Sequence, residues 1–316
     1  MIEPSIYYLL LVGTLRSSRE VRCFLNGLVI LGFAVALYSL YHYFFVGVVE
    51  ATGGVRRILA VYHSPNALAL FLGRIIPVAV ALALGLITVQ HRWRRALVPL
   101  GAAALMLAVF YLTFSRGAWL GLIAAALLLF FASDRRAGLL TLVGILVLGL
   151  ALVPVLPWER LLSITPFVQR LLVWQAALAM VLDHPLTGVG LDNFLYHYPQ
   201  YILPQAAFEP DISHAHNVFL DFWSRLGILG LATLVWLQYQ FWRMGVSVLR
   251  GAPAPQERWL ALALMASMVD FLVHGLIDNS YFLIDLAYIF WLTYGLLAVL
   301  YHSPGKAALT TGSTPT

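Results

Sequence analysis

Long apolar runs separated by short polar connections dominate the chain. A helix needs roughly 20 apolar residues to cross a hydrocarbon layer of about 30 Å. Eight runs are long enough, or nearly so, to do this. The pattern predicts transmembrane helices near 23–46, 66–89, 96–114, 117–133, 139–156, 216–240, 259–280 and 284–301. The sequence therefore indicates an all-α polytopic membrane protein.

Another apolar segment, "SIYYLLLVGTL" (5–15), precedes these runs and is only half a span long. It lacks the basic start and the small-residue cleavage site of a signal peptide. We expect a partial N-terminal helix here, the remainder of a span whose earlier part lies outside this chain.

Composition supports the membrane class, because 61% of the residues are hydrophobic and only 10% are charged. Soluble domains usually have about 25% charged residues. The net charge of +5 is compatible with nucleic-acid binding, but the basic residues lie in short loops between apolar runs, so no nucleic acid is expected. The single cysteine, Cys23, excludes an intrachain disulfide.

Lys and Arg alternate between the two sides of the predicted bundle. Twelve of the nineteen basic residues fall in alternate loops on one side, among them the segments "HRWRR" (91–95) and "DRR" (134–136). Because basic loops stay in the cytoplasm, that side is predicted to be cytoplasmic. The expected location is the bacterial inner membrane, with both ends of this chain in the cytoplasm.

One connection is much longer than the other external ones. Residues 157–215 form an external loop in which "VQRLLVWQAALAMVLDHP" predicts a helix of about four turns. The predicted organisation is N-terminal transmembrane helices (1–156), a periplasmic loop with an amphipathic helix (157–215), C-terminal transmembrane helices (216–301) and a polar tail (302–316).

A polar group stands where the sixth predicted span begins. His216 is a candidate general base, because a helix N-terminus disfavours a protonated imidazole. Asn217, Asp221 and Arg225 follow at four-residue spacing, which predicts an Asp221–Arg225 ion pair. Ionisable groups inside a span usually mark function. The alternative is that His214, His216 and Asn217 only cap the helix.

Three arginines on the external side or in the outer leaflet are candidate phosphate ligands, since guanidinium pairs with phosphate in a forked geometry. They are Arg116 in "TFSRGAW", Arg74 inside the second span and Arg170 on the loop helix. The alternative for Arg116 is that its side chain only extends to the membrane interface.

Asp270, His274 and Asp278 recur every four residues in the seventh span and predict one polar stripe. Such a stripe is typical of a proton relay. It is equally compatible with a polar seam that packs against Arg74 or Arg225 and supports the site.

These motifs resemble the O-antigen ligase and polymerase superfamily. In "HNVFLDFWSRLGILG", His216 and Asn217 are followed after nine residues by Gly227 and then by Gly230. The segments "FSRGAWLG" (114–121) and "DHPLTGVGLDNF…YPQY" (183–201) resemble the same family in the same order. Position 225 departs from the pattern, because it is more often acidic in such sequences.

The resemblance implies a glycosyltransferase-C-like helical fold with a long periplasmic loop. It also implies glycan transfer from a polyprenyl-pyrophosphate carrier, with His216 as catalytic histidine and Arg116 and Arg170 as pyrophosphate ligands. The acceptor is expected to be a glycan, a lipid A-core or a protein. No metal or cofactor is expected, and the sequence has no carboxylate cluster typical of a metal site.

Two other classes remain open. Relatives of this superfamily have been labelled bicarbonate permeases, and the stripe of Asp270, His274 and Asp278 would suit a small-anion transporter. A non-catalytic member of a glycan assembly complex is the third possibility.

Overall fold

A computed structural model describes residues 2–47, 49–52, 55–152, 163–206, 211–251 and 254–302. The first half contains α1 Ile2–Thr14, α2 Ser18–Tyr41, α3 Pro65–Thr88, α4 Trp93–Leu112, α5 Arg116–Ser133 and α6 Arg135–Leu152. The second half contains α7 Thr165–Asp183, α8 Phe194–Tyr201, α9 Val218–Gly251, α10 Pro255–Gly275 and α11 Ile284–His302. Smaller elements are a π-helical turn at His42–Val46, a 3₁₀ turn at Pro204–Ala206, and the antiparallel strands β1 Val49–Thr52 and β2 Val55–Ile58.

Within the described residues, eight helices are long and apolar enough to cross a membrane: α2 with the π turn, α3, α4, α5, α7, α9, α10 and α11. The prediction of an all-α polytopic membrane protein is confirmed, with the short β-hairpin as an addition. Helix α6 coincides with the fifth predicted span as far as Leu152, and the rest of that span lies outside the described residues. Residues 157–162 and 207–210 of the predicted loop also lie outside them.

Helix α7 confirms the helix predicted within the long loop, as Thr165–Asp183. By length and composition it also qualifies as a span. However, its polar side chains contact the segment just after α10 and the segment just before α9. Arg170 donates to the carbonyl of Ile277, just after α10, and Trp174 donates to that of His216, just before α9. Helix α7 therefore packs against the end of the bundle that carries these two residues.

Two predicted spans have different bounds in the structure. Helix α9 continues to Gly251, well beyond the predicted end at 240. Helix α10 ends at Gly275, whereas the apolar pattern predicted helix to 280. The prediction that Asp278 continues the helical stripe of Asp270 and His274 is therefore wrong, because Asp278 lies in the irregular segment after α10.

Helices α3 and α10 form the centre of the bundle. Every side chain of α3 from Ala67 to Ala79 is buried. Small residues allow this close packing, as is usual between membrane helices. A Cβ atom on Gly73 of α3 would lie only 2.7 Å from Oδ1 of Asp270, so the glycine leaves room for that carboxylate.

The bundle has two chemically different ends. Helices α5 and α10 are antiparallel neighbours, and Arg258 at the start of α10 donates to the carbonyl of Ala132 at the end of α5, at 2.6 Å. Arg22 and Arg95, near the starts of α2 and α4, line a cavity together with Trp259. The basic loops therefore lie at the end where α10 begins, and the segment after α10 lies at the other.

Helix α9 is broken at Gly227, whose φ of 68° and ψ of −167° are not helical. The break leaves the carbonyls of Ser224 and Arg225 free to accept hydrogen bonds from outside the helix. The amides of Val189 and Gly190 donate to them at 2.8 and 3.0 Å. The turn after α7 is thus attached to α9 through its backbone, which connects the two family-like motifs physically.

Helix α1 packs on the last helix of the bundle. Tyr8 contacts Trp291 and Tyr294 of α11, with ring centroids 5.4 and 5.7 Å apart. Leu11 lies against Gly295, where a Cβ atom would come within 3.1 Å of its side chain. The predicted partial helix is therefore an ordered helix with a partner in the fold.

Candidate active site

His216 lies in a tight turn immediately before α9. Its φ of 50° is in the left-handed region, which is uncommon for residues other than glycine. The turn places Nδ1 of His216 at 3.3 Å from Oδ1 of Asp278. The carbonyl of His216 accepts a hydrogen bond from Nε1 of Trp174 at 3.3 Å. Two residues distant in sequence thus hold His216, Asp278 through its ring and Trp174 through its backbone carbonyl.

Asp278 is the centre of the polar cluster. Its Oδ2 accepts a hydrogen bond from Nδ2 of Asn66 at 2.8 Å and lies 3.5 Å from a guanidinium nitrogen of Arg170. Its Oδ1 accepts from the amide of Asn279 at 2.9 Å and faces His216. This one carboxylate therefore joins α3, α7 and the turn before α9.

Both groups of this contact, the imidazole of His216 and the carboxyl group of Asp278, have lowered pKa values. Burial lowers the pKa of His216, and the neighbouring His214 lowers it further, against the opposing effect of the Asp278 carboxylate. Burial alone would raise the pKa of Asp278, but its contacts with His214 and with the hydrogen-bonded His216 bring that pKa well below the usual value. At neutral pH the pair is therefore a neutral imidazole beside an ionised carboxylate.

Arg116 and Arg170 lie at the same end of the bundle as this pair. Arg170 donates through Nε to the carbonyl of Ile277 at 2.6 Å. Arg116, the first residue of α5, donates to the carbonyl of Ser163 at 2.8 Å. The two guanidinium groups lie within electrostatic range of each other. Arg170 thus places positive charge beside Asp278, and Arg116 adds to the positive charge at this end.

The β-hairpin contributes Arg57, which the sequence indicates only as one of the arginines on the external side. Arg57 in β2 is 7% exposed and donates to Oδ1 of Asn66 at 2.8 Å and to the carbonyl of Thr113 at 2.8 Å. Asn66 in turn donates to Asp278. No pattern in the sequence points to Asn66, which stands there only as the second residue of a helix after Ser64 and Pro65.

The residues that follow His216 shape the turn. Asn217 caps α9, because its Oδ1 accepts from the amides of Phe219 and Leu220 at 3.0 and 3.2 Å. Oδ1 of Asp221 accepts from the amide of Ala215 at 2.8 Å.

The predicted Asp221–Arg225 ion pair is present, with a distance of 3.8 Å between its charged atoms. Arg225 also donates to the carbonyls of Ser213 and Leu191, which binds two loop segments to α9.

Arg74, Asp270 and His274 lie deeper and are not part of the cluster. Arg74 is 1% exposed and donates to the backbone carbonyls of Leu286 and Ser280. Asp270 and His274 are fully buried, and neither side chain makes a hydrogen bond to any residue that the structure describes. Asp270 packs between glycines of α3 and α5, within electrostatic range of Arg74 rather than against Arg225.

The fold and the cluster define a polytopic membrane protein with a polar site at one end of its helical bundle. Residues 101–235 match the family model for O-antigen ligase. This match supports the resemblance to the O-antigen ligase and polymerase superfamily over these residues. The family supports a membrane glycan-transfer function in general. A search of curated proteins finds no match to the chain.

Proposed function

We propose that this protein transfers a glycan from a polyprenyl-pyrophosphate carrier to an acceptor hydroxyl, as an O-antigen ligase or polymerase, without a metal. The contact between His216 and Asp278, with Arg170 beside it and Arg116 at the same end of the bundle, carries this proposal. In the proposed site His216 is the base, Asp278 orients it, and the two arginines bind the phosphates.

His216 is the proposed catalytic residue. If Nδ1–H donates to Asp278, the neutral ring keeps its lone pair on Nε2, which is then free to accept a proton. In a single displacement, Nε2 takes the acceptor hydroxyl proton while the acceptor oxygen bonds to the anomeric carbon. The bond from that carbon to the pyrophosphate oxygen breaks, and the pyrophosphate leaves with the electron pair. Asp278 is a positioning residue in this scheme.

Arg116 and Arg170 are proposed to bind the pyrophosphate and to stabilise its growing charge as it departs. Arginine supports this role without metal chemistry, because its charge is permanent and its donors form a fork. Arg74 is left out of the proposed site. It is buried among α3, α10 and α11, and two backbone carbonyls accept its donors.

The site is proposed to face the periplasm from the bacterial inner membrane. The basic loops lie at the opposite end of the bundle, which the positive-inside rule assigns to the cytoplasm. A lipid-linked donor would reach the site from the outer leaflet. Proposed acceptors are a growing glycan, a lipid A-core or a protein.

Transfer by the purified protein tests the proposal. The protein in lipid nanodiscs is incubated with a radiolabelled polyprenyl-pyrophosphate oligosaccharide and, in separate reactions, each acceptor class, all in EDTA. The expected result is label on one acceptor and release of polyprenyl pyrophosphate. Release of labelled glycan to water alone, or no reaction with any acceptor, would contradict it.

A small-anion transporter is the second candidate, and Asp270 and His274 favour it, since both are buried without a hydrogen-bond partner among the described residues. Ionisable groups inside a bundle commonly mark transport paths. Bicarbonate flux into proteoliposomes measures this directly. Flux that is lost in Asp270→Asn, together with no glycan transfer by the wild type, would replace the enzyme proposal. A non-catalytic assembly partner would show neither activity.

A further inference from the structure

Three ligand-type atoms converge beside the proposed base. Nε2 of His214 lies 3.1 Å from Nδ1 of His216, which lies 3.3 Å from Oδ1 of Asp278. The third side of this triangle, from His214 Nε2 to Asp278 Oδ1, is 3.9 Å. Bonds of about 2.0–2.1 Å in a tetrahedral zinc site place the ligand atoms roughly 3.3 Å apart. The three distances correspond to one face of such a tetrahedron.

Hydrogen bonds do not satisfy all three contacts, because the side of 3.9 Å is too long for one and a single hydrogen on Nδ1 could only be shared between the other two. Nδ1 of His216 carries either a hydrogen or a lone pair. If it donates to Asp278, it cannot accept from His214. If it accepts from His214, its lone pair faces the lone pairs of the Asp278 carboxylate. A cation at the centre of the triangle would be attracted by all three atoms together.

The surroundings orient the three side chains toward one another. Asn66 and Arg170 hold the other carboxylate oxygen, Oδ2, so that Oδ1 points at the histidines. Oγ of Ser213 lies 3.0 Å from Nδ1 of His214, which directs Nε2 of that ring into the triangle. Outer partners of this kind are typical of ligands in metal sites.

We propose that His214, His216 and Asp278 form a binding site for a divalent transition metal, with Zn²⁺ as the preferred ion. Two imidazoles and one carboxylate favour zinc over Mg²⁺ or Ca²⁺, which take oxygen ligands. The two histidine side chains are 22% and 24% exposed, so an ion can enter from solvent and keep a water as fourth ligand.

Metal bound here inhibits transfer, a consequence that rests on the proposed function. A neutral imidazole ring has one hydrogen. When Nδ1 of His216 binds zinc, that hydrogen must reside on Nε2. The nitrogen that would accept the acceptor proton then has no lone pair. Bound zinc therefore switches transfer off, and the metal takes no part in the reaction itself.

Metal binding is tested on the full-length protein, purified without a histidine tag. Equilibrium dialysis against Zn²⁺ should give one ion per chain. In separate samples, Co²⁺ should give the visible bands of tetrahedral coordination. His214→Ala should weaken zinc binding by more than about 100-fold, beyond the 10–100-fold cost of losing an outer partner. His197→Ala is the matched control, since His197 pairs with His184 elsewhere, and it should bind zinc like the wild type.

Unchanged zinc binding in His214→Ala, or octahedral Co²⁺ bands in the wild type, would overturn the site. Glycan-transfer assays distinguish failure of the metal site from failure of the proposed enzyme function. Transfer that persists in saturating zinc, with one ion bound, refutes Nε2 of His216 as the base and leaves the metal site standing. Transfer without any zinc binding refutes the metal site and leaves the enzyme proposal standing. Inhibition that EDTA reverses supports both.

Discussion

At the scale of single residues, the contact between His216 and Asp278 joins the proposed base to the carboxylate proposed to orient it. The carboxylate is buried yet ionised, because it is hydrogen-bonded to His216 and lies near the guanidinium of Arg170. It faces Nδ1, the ring nitrogen that the proposed proton transfer does not use. The tautomer of His216 therefore depends on a residue 62 positions later in the chain.

Replacing Asp278 with Asn keeps the shape of the side chain but removes its charge. We expect glycan transfer to fall by about 10²-fold or more, since a misoriented base with the wrong tautomer is a poor proton acceptor. Donor affinity should change little. The measurement is initial transfer rate at saturating donor, together with donor binding. A rate near that of the wild type would remove Asp278 from the proposed mechanism.

Replacing His216 with Ala removes the proposed base itself. Loss of a general base typically costs 10²–10⁴-fold in rate, and a loss of about that size is expected here. Binding of the lipid-linked donor should survive, because the arginines remain. His197→Ala is the control and should retain full activity. If His216→Ala loses donor binding and transfer equally, the turn has only a structural role.

Replacing Arg116 with Lys keeps the charge and loses the fork. Transfer should fall 10- to 100-fold, on the order of 1.5–3 kcal/mol for a charged hydrogen bond. Arg243→Lys, at the opposite end of the bundle, is the matched control. Normal rates in both variants would mean that Arg116 only anchors α5 at the membrane interface.

Sequence reasoning identified most of these residues but not their arrangement. His216, Arg116 and Arg170 stand out because charged or titratable groups are rare in so apolar a chain. Asp278 was assigned to a helical stripe because apolar residues continue past Gly275. The sequence does not indicate that Asn66 and Arg57 belong to the site, since only the fold brings the hairpin and the start of α3 to the carboxylate of Asp278.

At the scale of elements, the break in α9 and the turn after α7 form one unit. Gly188 has a φ of 64°, and a Cβ atom there would come within 2.6 Å of the carbonyl oxygen of Ser224. Side chains are excluded at that position by both conformation and space. The periodicity of the sequence could not show this, because an apolar pattern does not distinguish a continuous helix from a broken one.

Gly188→Ala should therefore destabilise the fold. The left-handed backbone alone costs a non-glycine residue about 1–2 kcal/mol, before the contact with Ser224. The measurement is the midpoint of thermal unfolding in detergent. Gly27→Ala is the control, because Gly27 lies inside α2 with open space around it, and alanine there should be neutral or stabilising. Equal midpoints of thermal unfolding for the two variants would contradict the close packing of the turn after α7 against α9.

At the scale of the whole molecule, the charge pattern predicts which end faces the cytoplasm. Cysteines introduced at Ser163 and Ser303 should label from outside and from inside intact cells, respectively. The native Cys23 is exposed and must first be replaced by serine. Labelling of both positions from the same side would reverse or break the proposed orientation, and with it the periplasmic location of His216.

The helical class was predictable because apolar runs of span length are rare outside membrane proteins. The order in which helices pack was not, since every lipid-facing and buried surface is similarly apolar. Nothing in the sequence indicated that α3 and α10 are central or that α7 lies against the ends of α9 and α10. Which helices pack together depends on small residues and on single polar contacts, and a hydropathy pattern does not reveal either.

The packing of α1 on α11 has a consequence for how the protein is made. Tyr8 and Leu11 are synthesised nearly three hundred residues before their partners Tyr294 and Gly295. The surface of α1 that carries Tyr8 and Leu11 therefore has no partner until α11 has been made. A ribosome stalled before 284 would hold a nascent chain in which α1 is still without this neighbour.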